Sequence, residues 1–119
     1  MAGNEGWKGI SLYFSYGCNI MKVTFEQRDE ELVLHTEGRI DTYTAEDFEK
    51  GLLAGSEKAD CVRLDFEKVQ YVSSAGLRAL LNGQKKVNGE DKEMILCNVN
   101  STVEEVFEST GFIDILTVE

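Results

Sequence analysis

The sequence predicts an α/β domain, a mixed β-sheet of roughly four to five strands packed with three to four α-helices. Three observations predict it. Runs with strand period alternate with runs of helix period in the order ββαβαβα, followed by a short C-terminal piece. A polar turn joins the first two strands, as in a hairpin. Each later strand is followed by an apolar-faced helix, so the sheet is mixed and the helices pack on it.

Each element has a local reason. Val23 and Phe25 alternate with Lys22 and Thr24, which gives a strand over residues 21–28. Arg28-Asp29-Glu30-Glu31 is the turn. Leu32, Val33 and Leu34 give a second strand over 32–37, and Gly38 to Thr42 is a connector. Thr44 caps a helix whose third residue is Asp47, with Ala45, Phe48 and Leu52 on one face and Gly55-Ser56 at its end. Val62, Leu64 and Phe66 alternate in a third strand. Ser74 to Val87 makes the second helix, with Leu77, Leu80, Leu81 and Val87 on a common face and Gly89 near its end. Met94 to Val99 is a nearly continuous apolar run, as in a strand covered on both faces. Ser101-Thr102-Val103-Glu104 is a capping-box pattern. It starts a third helix with Val103, Val106, Phe107 and Thr110 on one side and Gly111 at its end. Ile113 to Val118 closes the chain as a short strand or helix.

The organisation is an N-terminal extension, residues 1–20, and one domain, residues 21–119. The extension shows no clear period and is rich in glycine, and it lacks the basic start and apolar run of a signal peptide. Two readings stand for it: a poorly ordered tail that is not native to the domain, or an aromatic arm (Trp7, Tyr13, Phe14, Tyr16) that packs on the domain or on a second copy.

Composition excludes several classes. The 119 residues suffice for one core. With 42% hydrophobic and 29% charged residues the chain reads as globular rather than disordered. A net charge of −10 argues against nucleic acid and against an anionic membrane surface, and fits a basic protein partner. No apolar run approaches the ~20 residues of a membrane span, so no membrane insertion is expected. Three widely spaced cysteines, Cys18, Cys61 and Cys97, indicate a reducing, cytoplasmic setting without a disulfide framework. An enzyme is not expected. The one histidine, His35, stands in mid-strand, the Cys and His spacing of a zinc site is missing, and neither a phosphate-binding glycine loop nor a nucleophile–base pair is present. No cofactor is implied.

The most informative stretch is Leu64 to Leu81, where a buried strand hands over through Ser73-Ser74-Ala75-Gly76 to a helix. Two readings of the serines stand. A serine there caps the helix, worth about 1 kcal/mol. A serine there also accepts a phosphate, whose charge of about −1.5 to −2 the helix N-terminus tolerates while a closely packed partner does not. Such a serine switches binding without unfolding the domain. Gly76 admits close backbone approach, and Leu77 and Arg78 lie in the first turn, with Leu77 open to a core role. Gly38-Arg39-Ile40-Asp41-Thr42-Tyr43-Thr44-Ala45 is the second candidate. Asp41 either supports the helix dipole or forms an acidic contact on the same rim as Ser74.

These segments resemble the STAS family, the anti-sigma factor antagonists of bacteria with the SpoIIAA-like fold. GRIDTYTA resembles the family's Gly-x-(Leu/Ile)-Asp segment, VSSAGLRALL its Asp-Ser-(Ser/Thr)-Gly-Leu phosphorylation loop, and VFESTGFIDIL its Phe-x-x-(Ser/Thr)-Gly-Leu-x-x-(Ile/Phe) ending. The resemblance covers about residues 21–118. It implies a phosphorylation-controlled partner switch. The unmodified protein binds an anti-sigma factor that is also an ATP-dependent serine kinase, the kinase phosphorylates it, and a PP2C-type serine phosphatase resets it. The implied acceptor is Ser74, with Ser73 as the alternative, and the implied partner contacts are Asp41, Thr42, Ser73, Ala75, Gly76, Leu77 and Arg78. Ser73 departs from the pattern, because it stands where the family has an aspartate. The other open reading is a STAS scaffold subunit of a transport or regulatory complex that is never phosphorylated. The expected state is a monomer or weak dimer.

Overall fold

The computed structural model describes residues 10–16 and 19–119, with side chains from Met21 onward. The described strands are β1 (Ile10–Tyr16), β2 (Asn19–Arg28), β3 (Glu31–Ile40), β4 (Cys61–Val72), β5 (Glu93–Cys97) and β6 (Thr117–Val118). The helices are α1 (Ala45–Ser56), α2 (Ser74–Gly89) and α3 (Ser101–Thr110), with a 3₁₀ turn at Phe112–Asp114. The strands form one sheet in chain order. The β1–β2 and β2–β3 pairs are antiparallel, and the pairs from β3 to β6 are parallel. The mixed α/β sheet expected from the sequence is present.

The N-terminal boundary differs from the expectation. The sequence places the first strand at Met21, but β2 begins at Asn19 and Ile10–Tyr16 adds an edge strand in register with it. The possible aromatic arm falls on residues whose side chains, and for Trp7 the whole residue, lie outside the described ones.

Alternation sorts the sheet into two faces. Met21 and Val23 of β2, Leu32 and Leu34 of β3, Val62, Leu64 and Phe66 of β4, and Met94 and Leu96 of β5 are all buried and join one core. Phe48 and Leu52 of α1, Leu77, Leu80 and Val87 of α2, and Val103 and Phe107 of α3 complete it. The Phe48 and Phe66 rings meet edge to face with centroids 6.2 Å apart. A Cβ on Gly83 would overlap the Leu52 side chain, so this glycine lets α2 lie close against α1. The apolar run at β5 is covered fully on one face only: Met94 and Leu96 are buried, while Ile95 and Cys97 are half-exposed. The expectation of a strand covered on both faces is therefore corrected.

The opposite face is ionic. His35 lies between two carboxylates, with Nε2 2.7 Å from Glu26 and Nδ1 2.9 Å from Asp65. Arg63 joins Glu31 at 3.2 Å to Glu119 at 2.6 Å. Hydrogen bonds from Arg28 and then His35 hold the Glu26 carboxyl below the ordinary range, and the hydrogen bond from Arg63 does the same for Glu31. Burial raises Asp65, but hydrogen bonds from Asn98, the Glu67 N–H and His35 together outweigh it and leave it lowered. Burial, then the nearby Glu31 charge, pushes the Cys61 thiol up to about 11, so it stays protonated at neutral pH.

Strand β4 is longer than expected, because its apolar spacing changes midway. Its pairing with β3 slips twice, between His35 and Glu37 and between Gly38 and Arg39, and β4 takes up one extra residue each time. Gly38, at φ 105°, permits the bend. The core positions after Phe66 are therefore Val69 and Val72, three residues apart rather than two. This carries β4 to Ser73, beside the end of β3.

Two helix caps lie one turn or one residue from their expected places. Thr44 makes no side-chain cap bond at α1. Asp41 accepts from the N–H groups of Tyr43 and Thr44 instead, at 3.0 and 3.2 Å, and the Thr44 hydroxyl accepts from the Asp41 N–H at 2.9 Å. This is a reciprocal capping box one turn upstream. At α3 the cap is Asn100 rather than Ser101. Its side-chain oxygen accepts from Val103 N–H at 2.8 Å while its amide donates to the Val69 carbonyl.

Two measurements check this account. Below about pH 4 the three lowered carboxyls should cost stability: their contribution is complete above the ordinary carboxylate range and is lost as pH falls through their depressed folded values. The thermal midpoint should therefore hold between about pH 7 and 5 and drop below about pH 4; an unchanged midpoint at about pH 3 contradicts the ionic face. Gly76→Ala should destabilise by about 1–3 kcal/mol in denaturant melts through overpacking, because its Cβ would fall 2.7 Å from the Ile40 carbonyl oxygen.

Candidate functional site

The site lies where the parallel strands β3 and β4 end side by side. Arg39 pairs with Tyr71 and Ile40 with Val72, so the next residues, Asp41 and Ser73, emerge together. The Ser73 N–H donates to the Ile40 carbonyl at 2.9 Å and ties the two loops. The structure thus brings together the two segments that the sequence singled out.

The serines have different local roles. Ser73 has extended backbone and is the N-cap of α2, its Oγ accepting from Gly76 N–H at 3.3 Å. Its carbonyl accepts from Leu77 N–H at 2.8 Å. Ser74 is the first residue of α2, is exposed, and its hydroxyl has no hydrogen-bond partner among the described residues. One serine is committed to the fold and the other is free for chemistry.

Gly76 and Leu77, candidate contact residues from the sequence, are buried within the domain. A Cβ on Gly76 would meet both Ile40 and Val72 at under 3 Å, so the glycine serves the docking of α2 on its own sheet. Leu77 is 6% exposed and belongs to the core. Thr42 and Arg78 are exposed, and Ala75 is half-buried against the core.

Asp41 is mostly engaged. Its Oδ1 accepts the two loop N–H groups already described, and its Oδ2 lies 3.8 Å from Arg39 Nε. The Asp41 side chain is 14% exposed, so it shapes the loop more than it projects from it. Arg39 in turn lies over the Tyr71 ring, 4.5 Å from its centroid.

Sequence reasoning did not single out Arg39, Tyr43 or Tyr71. Tyr43 is 64% and Tyr71 36% exposed, unusual for large aromatic side chains outside a contact surface. The signal for Tyr43 is an aromatic residue between two threonines in a turn. Tyr71 carries no such signal, because the change of apolar spacing at Val69 hides which way it faces. Together with Thr42, Ser74 and Arg78 these residues make an exposed rim of hydroxyl, aromatic and guanidinium groups, a composition suited to a protein partner. Among the described residues no cluster of three or more His, Cys, Asp or Glu could hold a metal ion, and no helix is long and apolar enough to cross a membrane.

Comparison with known proteins gives consistent results. The family model described as STAS domain matches residues 22–119. The chain is 36% identical over 99 residues to the "Putative anti-sigma factor antagonist BtrV" of Bordetella bronchiseptica, covering 82% of this chain and 85% of that protein. Among solved structures, an anti-sigma factor antagonist from Mycobacterium paratuberculosis matches with a TM-score of 0.75 at 20% identity, over 82% of this chain and 84% of that one. The anti-sigma factor antagonist SpoIIAA in its unphosphorylated form matches at TM-score 0.66 and 20% identity, over 82% and 87% of the two chains. Its phosphorylated form matches at 0.63 and 18%, over 82% and 90%. At these identities the solved structures share the fold.

The two serines can be separated by stability. Ser73→Ala should cost about 1 kcal/mol through loss of the cap, and Ser74→Ala should stay within about 0.5 kcal/mol as an exposed change. Urea melts of both variants check this, and equal losses contradict the assigned roles.

Proposed function

Because the chain belongs to the STAS domain family and has its SpoIIAA-like fold, we propose that it is an anti-sigma factor antagonist working as a phosphorylation-controlled partner switch. In the unmodified state the rim around Ser74 binds an anti-sigma factor, and the sigma factor that this partner held is released. The same partner acts as a serine kinase: the γ-phosphoryl of ATP passes to Ser74 Oγ, the hydroxyl proton leaves, and ADP departs. A serine phosphatase of the PP2C type hydrolyses the ester and restores the binding form.

One observation carries the reading. Ser74 presents an exposed hydroxyl without a partner at the first position of α2, while its neighbour Ser73 holds the cap. A phosphate there meets the positive end of the helix dipole, so the fold keeps its stability while the rim gains about two negative charges. The kinship with BtrV supports the antagonist role, and the two phosphorylation states known for SpoIIAA support the switch.

Intact-mass and peptide mapping of the protein from its own cells, with and without phosphatase, should find one removable phosphate on the peptide holding Ser73 and Ser74, with fragmentation placing it on Ser74. Against the cognate kinase, Ser74→Ala should bind persistently and Ser74→Asp at least about tenfold more weakly, about 1.4 kcal/mol. Equal affinity of the two variants, with no phosphate under any growth condition, would leave a scaffold that is never modified.

A further inference from the structure

Helix α2 is a cationic element in an acidic chain. Ser74–Gly89 contains Arg78, Lys85 and Lys86 and no carboxylate, against a net charge of −10 for the whole chain. Helices α1 and α3 carry acidic residues in their first turns, Glu46 with Asp47 and Glu104, whereas α2 carries none. Lys86 is engaged by Glu57 at 3.6 Å and Glu90 at 2.7 Å. Arg78 and Lys85 are exposed and take part in no ion pair among the described residues.

Ser74 and Arg78 are four residues apart on one continuous helix, hence neighbours on the same face. Helical side chains lean towards the N-terminus, so the long side chain of residue 78 covers the turn that bears residue 74. An anion N-terminal to a cation at this spacing is the favourable order. Lys85 stands about 16 Å further along the axis than Ser74, beyond direct reach. Arg39 on the adjoining loop already faces Tyr71 and Asp41.

We propose that Arg78 is the internal counter-ion of a phosphate on Ser74. The proposal rests on Ser74 being the modified residue, and it adds how the modification acts. The guanidinium donates to the phosphate oxygens in a charge-assisted pair. Phosphorylation then changes the rim twice, placing an anion on it and withdrawing the nearest free arginine from a partner. An acidic partner group facing Arg78 is released by both changes at once.

The test uses the full chain with phosphoserine incorporated at position 74 during translation. Phosphorus NMR follows the second ionisation of the phosphate, which is ordinarily near pH ~6. The other ionisable groups of the rim, Arg39, Asp41, Tyr43 and Tyr71, are the same in every variant. The midpoint should lie a few tenths of a pH unit lower with Arg78 present than in Arg78→Gln, and the difference should shrink in about 1 M salt. Lys85→Gln should match the parent chain. Equal midpoints with and without Arg78 overturn the pairing. Because no kinase is needed to install the phosphate, the absence of phosphate on Ser74 in cells overturns the switch itself, and the titration still reads the pairing separately.

Discussion

The hydrogen bond from Ser73 N–H to the Ile40 carbonyl is the constraint on which the site depends. It is the last link between β3 and β4, and it fixes where each chain leaves the sheet. Gly76 reinforces it, because only a residue without a side chain lets the first turn of α2 rest on Ile40 and Val72. The position of Ser74 is therefore set by buried backbone and packed apolar groups. A hydroxyl held this way is presented to a partner without an ordering cost at binding.

The Asp41 loop uses the same economy. One carboxylate closes the turn before α1, while the Thr44 hydroxyl accepts from Asp41 N–H and donates to the Arg39 carbonyl. The exposed groups of this loop, Thr42 and Tyr43, thus stand on a segment held at both ends by the bonds between Asp41 and Thr44. Ser73 fills the cap position with a neutral side chain. With no acidic residue in its first turn, the start of α2 keeps its uncompensated partial positive charge, in contrast to α1 and α3.

Helix faces were legible in the sequence because their period is unbroken: Phe48 and Leu52, Leu77 and Leu80, and Val103 and Phe107 all lie in the core. The second half of β4 was not, since Val69 shares the face of Phe66 and Val72 only by virtue of two slips in pairing that no alternation rule anticipates. Caps were legible to within a turn. Asn100 and Ser101 are both good cap formers, and a tertiary partner, the Val69 carbonyl, decides between them. Both serines stood out because a strand, a glycine and an apolar helix punctuate them. Their division of labour did not, and neither did Arg39 and Tyr71, whose stacking follows from parallel register across 32 positions of chain.

The two slips in β4 make the length of this segment more constrained than its composition. Each extra residue turns the following side chains by half a strand period, so two together restore the phase and leave Val72 inward and Tyr71 outward. Removing a paired residue between Phe66 and Val72 would draw Ser73 back by about 3.3 Å and reverse the facing of everything after the deletion, whereas loss of Gln70, which the second slip leaves unpaired, would only remove that slip. Sequence drift in this stretch is therefore free to exchange side chains at Glu67, Lys68 and Gln70, all exposed, but not to gain or lose a paired position. The number of residues in a strand here acts as the ruler that sets a surface hydroxyl in place.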